Sequence, residues 1–181
     1  MNRASSTMLV AACLSFWAGC ASTTSINESW SDSARPKTPL GKTLAVAVVY
    51  DAQVARALEQ EWARQLRERG VDATPLEALG PTVRPPGRQD LVALAQQHGF
   101  VTVLVSKRLD VKQVERDVSA SQVAVVETKL YDVRTEQPFW SARTDTFLDG
   151  ASLEAERRPG GKLARTFVET LIAEMARAQL F

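Results

Sequence analysis

The sequence predicts an α/β fold on a single mixed sheet of about five strands, with the elements in the order β-α-β-α-β-β-β-α. Three observations carry this. Thr43–Tyr50 is a near-continuous, Val-rich apolar run, as strands buried on both faces are, and Phe100–Leu109 begins with another, Phe-Val-Thr-Val-Leu-Val. Helical periodicity separates them, so two βαβ steps open the domain. Two alternating segments then follow around a short turn, an antiparallel hairpin, before one last helical stripe. The composition agrees: of 181 residues, 45% are hydrophobic and 24% charged, which excludes collagen-like, coiled-coil and wholly disordered chains.

Each element has a local reason. Asp51 ends the first run and suits the N-cap of the helix that follows. In that helix Val54, Leu58, Trp62 and Leu66 recur every four residues, and Gly70 stops it. Val71–Leu76 is a second, weaker strand. Pro81, Pro85 and Pro86 mark a loop between Gly80 and Gly87. Gln89–His98 is a short helix with Leu91, Leu94 and Ala95 on one side, ended by Gly99. The polar stretch from Asp110 to Ser119 reads as a mobile connection.

Ser121–Val133 is a long strand. Val123, Val125, Glu127, Lys129 and Tyr131 share one face, with Ala124, Val126, Thr128 and Leu130 on the other. Arg134–Gln137 turns the chain and Pro138–Leu148 returns it. Gly150–Gly161 is a loop. The closing helix runs from about Lys162 to Gln179, with Leu163, Phe167, Leu171 and Met175 stepping every four residues and Val168 and Ile172 widening the stripe.

The N-terminus has a different character. Arg3 is the only charge in the first twenty residues, Met8–Trp17 is an apolar and small-residue run, and Ala18-Gly19-Cys20 follows. This is the layout of a secretory signal, and the run is too short to span a bilayer. Phe16-Trp17-Ala18-Gly19-Cys20 resembles the lipobox of bacterial lipoproteins. That resemblance implies cleavage before Cys20, a diacylglyceryl group on its thiol and a further acyl chain, such as palmitate, on its amine. Ala21, where an Asp would favour inner-membrane retention, implies an outer-membrane destination facing the periplasm. The cysteine count fits. The chain has two, Cys13 in the signal and Cys20, so a lipidated thiol leaves none free.

The expected organisation is therefore a signal peptide at 1–19, the lipidated Cys20 and a flexible tether to 42, and an α/β domain at 43–181. The tether is rich in Ser and Thr and contains Pro36 and Pro39, too polar to order itself, and would reach about 70 Å extended. Trp30 interrupts it, either docked on the domain or as a contact for a partner.

Catalytic patterns are missing. His98, the single histidine, precedes a helix-ending glycine and suits a capping position. With one His and no free Cys, the common zinc frameworks are not available, and no cofactor is implied. Pro159-Gly160-Gly161-Lys162 precedes the last helix but lacks the P-loop spacing and hydroxyl residue. There is no Gly-x-Ser-x-Gly elbow. Glu127 and Lys129 are read as a paired or binding surface on the sheet. Topology alone offers a ligand crevice at the strand carboxyl ends, formed by Tyr50, Asp51, Ser106 and Lys107. Lys+Arg total 22 and Asp+Glu 21, so from Cys20 onward the chain is formally neutral, with nothing to suggest nucleic-acid binding.

The lipobox, the segment holding Ser29-Trp30-Ser31-Asp32, the helix ending Arg69-Gly70-Val71 and the hairpin Val126–Asp132 with Phe139-Trp140-Ser141 resemble small periplasm-facing lipoproteins. The order of elements is more distantly similar to curli-secretion, penicillin-binding-protein-activator and TolB N-terminal domains. The resemblance implies a non-enzymatic interaction or assembly module that binds another envelope protein. The competing reading is a small-ligand-binding or envelope-polymer-processing protein that uses the crevice.

Overall fold

The computed structural model describes residues 24–35, 38–80, 87–116, 119–148 and 161–181. Six strands form one mixed sheet: β1 Thr24–Ser31, β2 Thr43–Val48, β3 Ala73–Pro75, β4 Thr102–Arg116, β5 Ser119–Asp132 and β6 Pro138–Leu148. The helices are α1 Ala52–Arg67, α2 Arg88–Gln97 and α3 Lys162–Arg177, with a 3-10 turn at Leu76–Leu79. The spatial order is β1-β6-β5-β4-β2-β3. β2 pairs in parallel with β3 and β4, and every pair from β4 to β1 is antiparallel. The sheet is open, and β4 joins its parallel and antiparallel halves.

The predicted order of elements holds, with two differences. The expected tether carries an extra strand, β1, which pairs along β6 from Thr24↔Thr146 to Ser31↔Trp140. An edge strand needs one neighbour for its backbone and one lightly buried face. Thr24 is buried and Ile26 half-buried, which suffices although the segment reads as polar. The expected connection from Asp110 continues β4 to Arg116, and β5 begins at Ser119. Cross-strand pairing with β5 satisfies its backbone despite the charged side chains.

Helix ends follow their sequence signals. The Asp51 Oδ1 accepts the backbone N–H groups of Gln53 and Val54 at 2.8 and 3.3 Å. Gly70 takes φ +82°, and the Val71 N–H returns to the Leu66 carbonyl at 3.1 Å. His98 caps α2, its carbonyl accepting from Lys42 Nζ at 2.9 Å.

Both faces of the parallel half are covered. On one, α1 and α3 pack Trp62, Leu66, Phe167, Leu171 and Met175 against Leu104, Leu130 and Trp140. Trp62 meets Phe167 edge to face, with centroids 6.4 Å apart. On the other face, α2 brings Leu91 and Ala95 onto Leu44, Val46 and Val103. Beyond β4 this second face carries polar and charged side chains, among them Glu127, Lys129 and Arg143.

β3 is short, and its pairing with β2 stops at Ala45↔Pro75. Beyond it the Ala47 N–H has no strand partner on that side. The buried Glu59 carboxylate of α1 accepts it at 3.0 Å. A side chain thus completes the edge where the strand runs out.

Candidate functional site

The four residues of the expected crevice do not converge. Ser106 and Lys107 are consecutive on β4, so their side chains point to opposite faces of the sheet. Ser106 points into the α1–α3 core and is fully buried. There its Oγ accepts from Trp62 Nε1 at 3.0 Å and lies 3.0 Å from Thr128 Oγ1. Lys107 is exposed on the other face. Asp51 is held by its capping bonds. Tyr50 is 93% exposed between β2 and α1.

Two cavities flank the sheet instead. One, of about 270 Å³, opens between the sheet, the start of α1 and the start of α3. Its walls are mostly apolar, including Val54, Leu58, Leu163 and Phe167, with Asp51 and Arg108 as the charged groups. The other, of about 260 Å³, lies on the opposite face beside α2. Val48, Leu91 and Val105 floor it, and Lys107, Arg88 and Glu136 stand among its walls. Arg88 and Glu136 are themselves paired at 3.1 Å. The expected crevice is thus divided by the sheet, with Asp51 on one side and Lys107 on the other.

His98 lies in neither lining. Among the described residues no cluster of three or more His, Cys, Asp or Glu side chains is placed to hold a metal ion. Gly161 is the N-cap of α3 and offers no side-chain cap, while Pro159 and Gly160 lie outside the described residues. Cys20 also lies outside them.

Beyond β4 the second face of the sheet has a defined charge pattern, while Val123 and Val125 on the same face of β5 are buried. Lys129 Nζ reaches Glu127 Oε2 at 2.9 Å along the same strand. The hydrogen bond and charge of Glu127 raise the Lys129 ammonium above its ordinary pKa, against the opposing effect of partial burial. Lys107, Glu127 and Arg143 stand in one cross-strand row of alternating sign. Trp30, 48% exposed, lies on β1 opposite Ser141, at the border of this surface. The sequence suggested Glu127, Lys129 and Trp30 separately. It did not indicate that β1 would place Trp30 in the same sheet.

β1 is also tied to α3. Ser29 Oγ donates to Glu174 Oε1 at 2.7 Å, and Arg177 reaches the other carboxylate oxygen at 2.8 Å. Ser29 first, then Arg177, holds the Glu174 carboxyl below its ordinary pKa. At the far end of β1, the Arg35 guanidinium stacks 3.3 Å over the Phe139 ring.

No protein-family model and no curated protein sequence matches the chain. Solved structures overlap it at low identity. PelC from Paraburkholderia phytofirmans, a dodecamer, is 17% identical over 87% of this chain and 97% of its own, with a TM-score of 0.48. The lipoprotein GNA1162 from Neisseria meningitidis is 16% identical over 77% of this chain and 99% of its own, with a TM-score of 0.47. The C-terminal domain of LpoB from Escherichia coli is 16% identical over 62% and 87%, with a TM-score of 0.40.

Proposed function

We propose that the chain is an outer-membrane lipoprotein facing the periplasm, anchored through Cys20, whose α/β domain is a non-enzymatic interaction or assembly module of the cell envelope. The lipobox at Phe16–Cys20 is the observation that carries this reading. Two acyl chains or more would hold the protein stably where one would not. The residues expected to form a ligand crevice are divided between the two faces of the sheet or committed to structural bonds, which favours surface recognition over chemistry. The surface best suited to a protein partner is the Lys107, Glu127 and Arg143 row, exposed at its two basic ends and bordered by Trp30. A half-exposed tryptophan beside a patterned charged surface is a common anchor for a partner.

The anchor also needs less chain than its composition suggested. Only residues 21–23 separate Cys20 from β1, and four residue steps span at most about 14 Å. The domain is therefore held close to its lipid.

The first test is the mass of the mature N-terminal peptide from membrane fractions, compared with Cys20→Ala. A triacylated Cys20 that fractionates with the outer membrane supports the reading. An unmodified chain, or one retaining residues 1–19, refutes the anchor. Photo-crosslinking from position 30 in cells then tests the partner surface, and a surface that captures no envelope protein argues against the interaction role.

A further inference from the structure

The cavity between the sheet, the start of α1 and the start of α3 has an apolar interior and a charged mouth. Buried side chains form its depth: Ala124 and Val126 of β5, Leu58 of α1, and Ala164 and Phe167 of α3. Ala124 on the sheet and Ala164 on the helix, the smallest of these, leave room between the layers. Val49, Val54, Asp51 and Arg108 are half-buried and mark the mouth.

The two charges at the mouth are not equivalent. Asp51 is committed to α1, whose first N–H groups it caps at the positive end of the helix. Arg108 has no hydrogen-bond or ion-pair partner among the described residues, and nothing of that kind joins it to Asp51. Its place follows from the pleat. It continues the core-facing side of β4 after Leu104 and Ser106, and pairs with Val126 just before the bulge. A guanidinium offers several N–H donors, and polar groups drawn out of water are normally paired. In the cavity beside α2, by contrast, Arg88 is already paired with Glu136, and Lys107 is exposed to water.

We infer that the first cavity binds a single-chain anionic amphiphile, a fatty acid, with its alkyl chain among Leu58, Ala124 and Phe167 and its carboxylate on Arg108 at the mouth. The inference goes beyond the interaction role and does not depend on lipidation of Cys20. An apolar cavity of about 150 Å³ holds benzene, and in the same proportion 270 Å³ holds roughly ten carbons. Two acyl chains exceed that space, which selects a ligand with one. Each methylene removed from water favours binding. The carboxylate supplies what the surrounding side chains do not, an acceptor that the guanidinium meets with two parallel N–H groups.

The test uses the chain from Cys20 onward, which includes every described residue, with Cys20→Ser. That substitution removes the remaining thiol, so no acyl chain on the protein itself competes for the cavity. Isothermal titration calorimetry is run with decanoate, decanol and decyltrimethylammonium, three head groups on one length of chain. Arg108→Gln removes the charge at the mouth, and Ala124→Leu fills the depth.

The expected result is one decanoate per chain, with weaker binding of decanol and the weakest binding of the cation. Arg108→Gln should lower decanoate affinity about tenfold and leave decanol unchanged. Ala124→Leu should remove binding while circular dichroism shows the fold intact. Absence of decanoate binding would overturn the inference. Equal binding of decanol would do the same, leaving a neutral acyl chain, such as those expected on Cys20, as the better occupant. Decanoate binding that a folded Ala124→Leu leaves unchanged would also overturn it, because the ligand would then sit elsewhere. Should Ala124→Leu fail to fold, the three head groups and Arg108→Gln still decide.

Discussion

The indole Nε1 of Trp62 donates to Ser106 Oγ at 3.0 Å, across the junction of α1 and the sheet. Both residues are fully buried, and Ser106 continues the contact to Thr128 on β5. One hydroxyl thus serves a helix and two strands inside an apolar core. Such a bond adds little net stability when made, and its loss leaves a buried indole N–H without a partner. Ser106→Ala is expected to cost about 1–3 kcal/mol in urea unfolding. Adding Trp62→Phe should cost less than the sum of the two single changes, because no orphaned donor remains. A change within experimental error for Ser106→Ala would mean that the core relaxes to another acceptor.

Glu59 makes a second buried polar contact, and this one stands in for backbone pairing. Its carboxylate takes the Ala47 N–H just beyond the end of β3. Glu59→Ala is expected to destabilise by about 1–3 kcal/mol and to speed hydrogen exchange at the Ala47 amide. Glu59→Gln keeps an acceptor at the same reach and should restore most of the protection. Equal exchange at Ala47 in both variants would show that the carboxylate is not what protects the amide.

The Ser29–Glu174 bond gives the β1 attachment a pH dependence. Glu174 titrates below the ordinary value of 4.5 in the folded chain, chiefly because of the Ser29 hydroxyl and then Arg177. A depressed carboxyl contributes stability that is present above its unfolded pKa. That contribution fades as the pH falls from about 4.5 through the lower folded value. An NMR titration of the Glu174 side chain should find its midpoint below the ordinary carboxylate range. Ser29→Ala should move the midpoint up toward it. A midpoint that ignores Ser29→Ala would assign the shift to Arg177 alone.

Gly70 closes α1 in the left-handed region, at φ +82°. Open space surrounds the position, so an added Cβ meets no neighbour and only the backbone is strained. Gly70→Ala is expected to cost about 1–2 kcal/mol and to lower the melting temperature measured by circular dichroism. Gly87→Ala, where φ is −72°, provides the contrast and should cost less of this backbone strain.

Much of this architecture could be read in the sequence because its signals are local. The buried strands β2 and β4 begin as apolar runs, Asp51 caps, Gly70 and Gly99 terminate, and the α3 stripe repeats every four residues. What stayed hidden depends on distant partners. Thr24–Ser31 reads as polar linker, and only β6, more than a hundred residues away, makes it a strand. The charged residues after Asp110 look like a loop until β5 is laid beside them. The residues expected to line a crevice are divided because strand ends that are close in topology still point to opposite faces. Ser106 and Lys107 differ by one residue, and pleating sends one into the core and the other to solvent. The role of Ser106 depends on the position of Trp62, 44 residues away, which no spacing rule supplies.

The pairing of β1 with β6 has a consequence for how the chain acquires its structure. Thr24 and Thr146 are 122 positions apart, so the first described strand waits for the last. Until then β6 has not arrived, and the segment around Trp30 has no native neighbour. Non-local pairings of this kind are slow to close, so docking of β1 is expected to follow formation of the β4–β5–β6 meander. During that delay two unpaired strand borders, β1 and the outer side of β6, coexist in one molecule. In a crowded compartment each can recruit the corresponding strand of another copy, and the exchange of β1 between chains becomes the characteristic way for this fold to go wrong.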